Sequence, residues 1–212
     1  MLVINLKNYK TGKEVFDIVK KVEIYYNKTI IAVPITELIE IVKTKGPNMQ
    51  IFAQHVDFQD RGRGTGFVIP ESIINAGASG SILNHSEHKI KISEIKKTVK
   101  RCNEVGLKLI ICASSLKEAA ILKKLNPYAI AFEDKKLIAT GKSITTNDAH
   151  DLKKFIELLK DCEIIPLCGA GISTGEDVAS ALVMGCKGVL VSSVVADSQT
   201  PEKFLREVQG IL

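Results

Sequence analysis

Features of several common protein classes are missing from this sequence. It has no apolar run long enough to span a membrane, and Met1 to Asn5 lack the basic region and long apolar stretch of a secretion signal. Its positive charges, which give a net charge of +5, are not interleaved with aromatic residues as on a nucleic-acid-binding surface. We therefore expect a cytoplasmic protein without membrane or nucleic-acid partners.

Cysteines with metal-binding or disulfide spacing are also missing. The five cysteines are isolated, odd in number and mostly embedded in apolar runs: Cys102, Cys112, Cys162, Cys168 and Cys186. This pattern argues against a disulfide framework and against a CxxC metal site. We expect five reduced, small apolar residues and no bound metal.

No linker, low-complexity tract or change in composition marks a domain boundary. Hydrophobic residues make up 45% and charged residues 25% of the 212 residues, which suffices for a large core and a soluble surface. A single α/β barrel commonly has about 200–250 residues. We therefore expect one domain, residues 1–212.

Short apolar runs alternate with longer segments of helical periodicity, which is the pattern of parallel strands joined by crossover helices. Eight strands are predicted, at Leu2–Asn5, Thr29–Val33, Gln50–Ala53, Gly80–Leu83, Lys108–Cys112, Ala129–Phe132, Ile164–Cys168 and Gly188–Val191. Helices are predicted at Lys13–Tyr26, Thr36–Lys45, Glu71–Ala76, Ser93–Val105, Leu116–Leu125, Asn147–Lys160, Gly175–Met184 and Pro201–Gly210, with Ser115 and Thr174 as N-terminal caps. Eight strand–helix units predict an α/β fold, a single (β/α)8 barrel. A doubly wound open sheet is the alternative, but Asn5 to Tyr9 lack the glycine fingerprint of a dinucleotide-binding fold.

The longest irregular region runs from Gln54 to Ile69 and contains Arg61-Gly62-Arg63-Gly64-Thr65-Gly66. A loop of this length in a compact domain usually has a function or forms an interface. The alternative is a mobile surface loop.

His85 lies where a predicted buried strand ends and a polar segment, Ser86-Glu87-His88, begins. Ser86 and Glu87 suit the first turn of a helix, whose free N–H groups would favour a neutral imidazole. A structural histidine is the alternative for an isolated residue of this type.

The carboxyl ends of the strands of such a barrel form the active site. The residues expected there are Asn5 and Lys7 after the first strand, His85 after the fourth, Glu133 after the sixth, Gly169-Ala170-Gly171 after the seventh and Ser192-Ser193 after the eighth. Taken alone, Lys7 is equally consistent with a solvated surface lysine, and Glu133 with a carboxylate that caps a helix. Together they predict a base, an electrophile and a cation beside two turns that suit an anion.

These strand ends carry motifs that resemble the triosephosphate isomerase family, particularly its compact archaeal members. The matching segments, in family order, are Asn5-Leu6-Lys7, Ala53-Gln54-His55-Val56-Asp57, Gly64-Thr65-Gly66, Leu83-Asn84-His85-Ser86-Glu87, Glu133 with Leu137-Ile138-Ala139-Thr140-Gly141, and Cys168-Gly169-Ala170-Gly171-Ile172-Ser173-Thr174-Gly175-Glu176-Asp177. They span nearly the whole chain, and the NHSE and CGAGISTGED segments are the most specific of them.

The resemblance implies a TIM barrel that interconverts dihydroxyacetone phosphate and D-glyceraldehyde 3-phosphate, in glycolysis and gluconeogenesis, with no metal or organic cofactor. This family is itself a well-known example of a glutamate base paired with a neutral histidine electrophile. By resemblance, Glu133 is the base and His85 the electrophile. Lys7 stabilises the developing charge, Asn5 positions the substrate and Glu87 supports the site.

The resemblance also implies how the substrate and a second subunit bind. The substrate-binding residues are Asn5, Leu6, Lys7, Ile138, Gly171, Ser192 and Ser193, with the phosphate held chiefly by main-chain N–H groups. In the family, the loop after the third strand, here with Gly64-Thr65-Gly66, inserts into a neighbouring subunit. A homo-oligomer, either a dimer or a tetramer, is therefore expected.

The chain departs from the family pattern at three positions. Asp134 stands where a proline usually follows the base, Ala139 replaces a usual glycine, and Val194 stands where archaeal relatives usually have glycine. We expect these changes to weaken closure over the substrate while the chemistry is retained. The alternatives are a barrel enzyme for another sugar-phosphate reaction, and a non-catalytic or weakly active sugar-phosphate-binding barrel.

Overall fold

A computed structural model describes residues 1–133 and 149–212, in which the predicted strands form a closed barrel in chain order. Every neighbouring pair is parallel, including the closing pair of the first and last strands. The strands are β1 (Leu2–Asn5), β2 (Thr29–Val33), β3 (Gln50–Ala53), β4 (Gly80–Leu83), β5 (Lys108–Ala113), β6 (Ala129–Phe132), β7 (Ile165–Cys168) and β8 (Gly188–Val191). The predicted (β/α)8 barrel is confirmed.

Nine helices surround this barrel in the described residues. They are α1 (Lys13–Tyr25), α2 (Leu38–Thr44), α3 (Pro70–Asn75), α4 (Ile92–Val105), α5 (Leu116–Lys123), α6 (Ala149–Leu159), α7 (Gly175–Val183), α8 (Ser193–Ala196) and α9 (Pro201–Gln209). Ser115 and Thr174 cap α5 and α7, accepting hydrogen bonds from the N–H groups of Glu118 and Asp177, as predicted. The four-residue α8 was not predicted, because so short a helix has no periodicity to detect.

The core has two layers because side chains alternate along each strand. One set fills the barrel interior and includes Val3, Phe52 and Ile110. The other set, which includes Ile4 and Ile111, packs against the surrounding helices. At the carboxyl ends, polar side chains replace the interior set, so that they share one mouth of the barrel.

The region from 54 to 69 contains no helix or strand, as predicted. Its base is closed by two hydrogen bonds, from the Asp57 N–H to the Val68 carbonyl and from the Val68 N–H to the Asp57 carboxylate, each 2.8 Å long. Arg101 of α4 pairs with Asp60 in the loop, with 2.8 Å between Nε and Oδ1. The loop is therefore closed at its base and joined to α4 along one side.

All five cysteines are free, and four are buried while Cys162 is partly exposed. Among residues 1–133 and 149–212, no helix has the length and apolar character needed to cross a membrane.

Candidate active site

A cavity of about 130 Å³ lies at the carboxyl ends of the strands. It is lined by Asn5, Lys7, His85, Ser86, Glu133, the turn 169–173 and residues 190–193. The fold therefore brings together the predicted base, electrophile and cation with both small-residue turns.

Lys7 is held in place by hydrogen bonds of its backbone and by an ion pair of its ammonium group. Its φ of +47° is rare for a side-chain-bearing residue, and two hydrogen bonds fix it there. The Lys7 N–H donates to Oδ1 of Asn5 (3.0 Å), and Nε2 of Gln54 donates to the Lys7 carbonyl (2.9 Å). Nζ lies 2.7 Å from Oε1 of Glu87, so Glu87 orients the cation from beside the cavity.

His85 is oriented by its own loop. Its Nδ1 accepts a hydrogen bond from the Glu87 N–H (3.2 Å), which assigns the ring proton to Nε2. Ser86 and Glu87 form a turn, so the predicted helical first turn is wrong, because α4 begins only at Ile92. The expected N–H group nevertheless reaches the ring. Burial, and then the positive charge of Lys7, lower the pKa of His85 to about 4, so the imidazole is neutral near pH 7.

Glu133 is the most deeply buried charged residue of the cavity, with 3% of its surface exposed. Its Oε1 lies 3.3 Å from Nε2 of His85, and its Oε2 accepts the Ser86 N–H at 3.3 Å. Burial raises the pKa of Glu133 to about 7, although the Ser86 N–H, the Cys112 thiol and Lys7 oppose that rise. A carboxylate with a pKa near the working pH is well suited to both take and return a proton.

The turn after β7 leaves space for this carboxylate. A Cβ on Gly169 would lie 2.9 Å from Cγ of Glu133 and 3.3 Å from the Phe132 carbonyl oxygen. Gly171 has a φ of +66°, a conformation that glycine adopts without strain. Both glycines are thus required by local geometry, and the turn brings main-chain atoms to the cavity.

The segment after β8 forms another wall of the cavity. Ser192 Oγ donates to the Asn5 carbonyl (2.8 Å), which ties β8 to β1 at the cavity, and Ser193 begins α8. Val194 packs against the core and is not among the residues that line the cavity in the described part of the chain.

A second, wider cavity of about 570 Å³ adjoins the first and shares Asn5, Lys7 and His85 with it. It also contains Glu87, together with a stacked pair of imidazoles, His55 and His88, whose centroids are 4.3 Å apart. This cavity lies on the side of Lys7 away from the turns after β7 and β8.

One of the remaining predicted residues lies away from the cavity, and the others fall outside the described part of the chain. The Leu6 side chain is fully buried in the core and does not line the described cavity. Ile138, Asp134 and Ala139 lie outside the described residues. Within residues 1–133 and 149–212, no cluster of His, Cys, Asp and Glu could hold a metal ion.

Two contacts of Glu133 were missed from the sequence. The Ser86 N–H cannot be identified from residue type, since any residue carries one. Cys112 was interpreted only as a small apolar residue, yet it is in the barrel interior near the end of β5. Including the fifth strand among the strand ends would have found it.

The chain is similar to one group of known proteins along nearly its whole length. The family model described as triosephosphate isomerase matches residues 1–209. Similar proteins include triosephosphate isomerases of Sulfurisphaera tokodaii (36% identical, covering 98% of this chain and 93% of the relative) and Sulfolobus acidocaldarius (34%, 98% and 92%). That of Methanocaldococcus jannaschii is 32% identical, with 98% of each chain covered.

Proposed function

Because the chain belongs to the triosephosphate isomerase family, we propose that it interconverts dihydroxyacetone phosphate and D-glyceraldehyde 3-phosphate as an aldose–ketose isomerase. The observation that carries the proposal is the 3.3 Å approach of His85 Nε2 to Glu133 Oε1 beside Lys7. The reaction serves glycolysis and gluconeogenesis, and we expect it to take place in the cytoplasm.

Glu133 is the proposed base. As the carboxylate, it takes a proton from the carbon next to the substrate carbonyl and returns it to the neighbouring carbon. The bonding electrons form the double bond of an enediolate, so no net oxidation occurs. Its pKa of about 7 makes both transfers feasible, because the group is neither too weak a base nor too weak an acid.

His85 is the proposed electrophile. Its Nε2–H donates to the carbonyl oxygen and moves a proton between the two substrate oxygens. A neutral imidazole suits this step, and the lowered pKa of His85 supports that state. Lys7 stabilises the negative charge of the enediolate and the phosphate, held by Glu87 and steadied by Asn5.

The phosphate is proposed to bind the main-chain N–H groups of Gly171, Ser192 and Ser193. These residues line the cavity, and barrels commonly bind phosphate at the turns after the last two strands. Leu6 and Ile138 join this set on the family resemblance alone. Weakened closure caused by Asp134 and Ala139 is likewise proposed from the family resemblance alone.

A homo-oligomer, a dimer or a tetramer, is part of the proposal. The wider cavity beside Lys7 is large enough to accept a loop. Segment 64–66 is exposed and belongs to a loop whose base is closed by hydrogen bonds, which suits such an insertion. Insertion there of the partner's loop would cover the Lys7–Glu87 pair and exclude water from it.

Turnover of both triose phosphates by Glu133→Gln and His85→Gln variants tests the proposal. Loss of a positioned acid or base typically costs about 10²–10⁴-fold in rate, so kcat should fall at least that far in each. Glu40→Gln is the matched control, because Glu40 pairs with Lys43 on the exposed surface of α2.

Two outcomes would contradict this function. Unchanged turnover by Glu133→Gln would exclude the assigned base. Absence of isomerisation by folded wild-type protein that still binds triose phosphate would favour the non-catalytic sugar-phosphate-binding barrel.

A further inference from the structure

The residue before His85 redirects the chain. Ile82 of β4 faces the barrel interior and Leu83 packs against the helix layer, so unbroken alternation would turn His85 outward. Asn84 interrupts the alternation with a φ of +58°, a conformation that asparagine tolerates better than most residues. The His85 ring is thereby presented to the cavity.

Three hydrogen bonds of the Asn84 side chain hold this turn. Its Nδ2 donates to the Cys112 carbonyl (2.9 Å) and to Oε1 of Glu118 (2.8 Å), while Oδ1 accepts the Ile90 N–H (3.2 Å). With 1% of its surface exposed, Asn84 gives these bonds little competition from water. The Asn84 side chain therefore joins the two ends of segment 84–90, which carries His85, and anchors the segment to β5 and α5.

Lys89 and Glu118 complete the arrangement. Glu118, the third residue of α5, accepts Lys89 Nζ on both oxygens, at 2.7 and 2.9 Å. Ser114 also donates to it through its N–H (2.7 Å) and its hydroxyl (2.9 Å). Burial would raise the pKa of Glu118, but these donors outweigh it and lower the pKa, so the group is held as a carboxylate.

We propose that Asn84, Lys89 and Glu118 form a positioning unit that holds His85 and the Ser86 N–H in the geometry needed for isomerisation. The inference rests on the function proposed above. In the described part of the chain, none of the three lines either cavity that His85 lines, so they act through His85 and not on the substrate.

The unit has two effects on the reacting groups. Mechanically, it fixes the segment whose Ser86 N–H lies 3.3 Å from Glu133, and a displacement of about 1 Å in an active site can cost about 10²-fold in rate. Electrostatically, the charge of Lys89 adds to burial and to Lys7 in keeping His85 neutral. Among the described residues, the charged groups that face His85 are Lys7, Glu87, Lys89 and Glu133.

A merely structural network would stabilise the β4–β5 junction without affecting chemistry, and variants can separate the two roles. Asn84→Gly keeps the left-handed turn accessible but removes all three hydrogen bonds. Lys89→Met removes the charge, and Lys89→Arg restores it. Ser115→Ala is the matched control, because it removes the cap of the same helix, a hydrogen bond from the Glu118 main-chain N–H, and leaves every side-chain hydrogen bond of Asn84, Lys89 and Glu118 in place.

The assay measures kcat, KM, the pH profile of kcat/KM and Tm for each variant. Asn84→Gly should lower kcat by about 10–10²-fold with KM within about twofold, as expected for misplaced catalytic groups. Lys89→Met should move the acid limb of kcat/KM to higher pH, because a cation that favours ionised Glu133 is lost. Lys89→Arg should approach wild type, and Ser115→Ala should lower Tm alone.

The proposal is overturned if Asn84→Gly and Lys89→Met lower Tm as Ser115→Ala does while kcat and the pH profile match wild type. If Asn84→Gly does not fold, the Lys89→Met and Lys89→Arg pair decides in the same way. If the wild-type protein does not isomerise triose phosphates, the proposed function fails, and ¹⁵N NMR of His85 then tests positioning. The ring tautomer and pKa should change in Lys89→Met but not in Ser115→Ala, and unchanged resonances would reject the unit.

Discussion

Nε2 of His85 lies 3.3 Å from Oε1 of Glu133, and burial moves the pKa values of the two groups in opposite directions. Near pH 7 the imidazole of His85 is therefore neutral and the carboxyl of Glu133 is close to half-ionised. An apolar environment disfavours charge on both, so one feature of the barrel mouth tunes both groups. The pH dependence of activity and stability follows from this relationship.

The acid limb of kcat/KM should report Glu133. Its pKa of about 7 means that the carboxylate fraction, and with it kcat/KM of the free enzyme, rises as pH increases through 7. His85, with a pKa of about 4, should add no second limb between pH 5 and 8. A pH series in constant ionic strength measures this, and a single limb centred near the ordinary glutamate value of 4.5 would contradict it.

Glu133 should cost the protein stability at high pH. Its folded-state pKa is raised from 4.5 to about 7, so its favourable contribution is present below 4.5 and is lost as pH rises through 7. Glu133→Gln should therefore stabilise the protein more at pH 8.5 than at pH 4. The change that it causes in the free energy of unfolding should differ between the two pH values by an amount on the order of 3 kcal/mol. Urea unfolding at both pH values measures the difference. A gain that is equal at the two pH values would show that ionisation of Glu133 carries no such cost.

Gly169→Ala should damage activity more than stability. The new Cβ would lie 2.9 Å from Cγ of Glu133, so the carboxylate must move, and kcat should fall by about 10²-fold. Gly210→Ala is the control, because among the described residues no atom beyond its chain neighbours lies within 4 Å of its added Cβ. Steady-state kinetics with both variants tests this, and a Gly169→Ala protein as active as Gly210→Ala would mean that Glu133 tolerates displacement.

A bulky cation in the exposed loop should interfere with association. If segment 64–66 inserts beside the partner's Lys7–Glu87 pair, Thr65→Arg should lower both the fraction of oligomer and kcat, and high protein concentration should restore part of each. Light scattering and turnover across a dilution series measure this. Gln209→Arg, an exposed substitution in α9, should leave both unchanged. Equal behaviour of the two variants would remove the loop from the interface.

The strand pattern and the strand-end residues could be predicted from the sequence because a parallel barrel imposes strong periodicity and one functional face. Lys7, His85 and Glu133 come together for that reason. The turn at Ser86–Glu87 could not be predicted, because its conformation follows from the left-handed Asn84, which is stabilised by the hydrogen bonds that its own side chain donates to β5 and α5. Such contacts join residues about 30 positions apart and leave no local pattern.

The most direct test of the account is isomerisation of dihydroxyacetone phosphate in D₂O, followed by ¹H NMR. While Glu133 holds the abstracted proton it can exchange it with D₂O, so the wild-type protein should form glyceraldehyde 3-phosphate with deuterium at C2, and Glu133→Gln should form almost none. Conversion and labelling by Glu133→Gln at the wild-type rate would contradict proton transfer through Glu133.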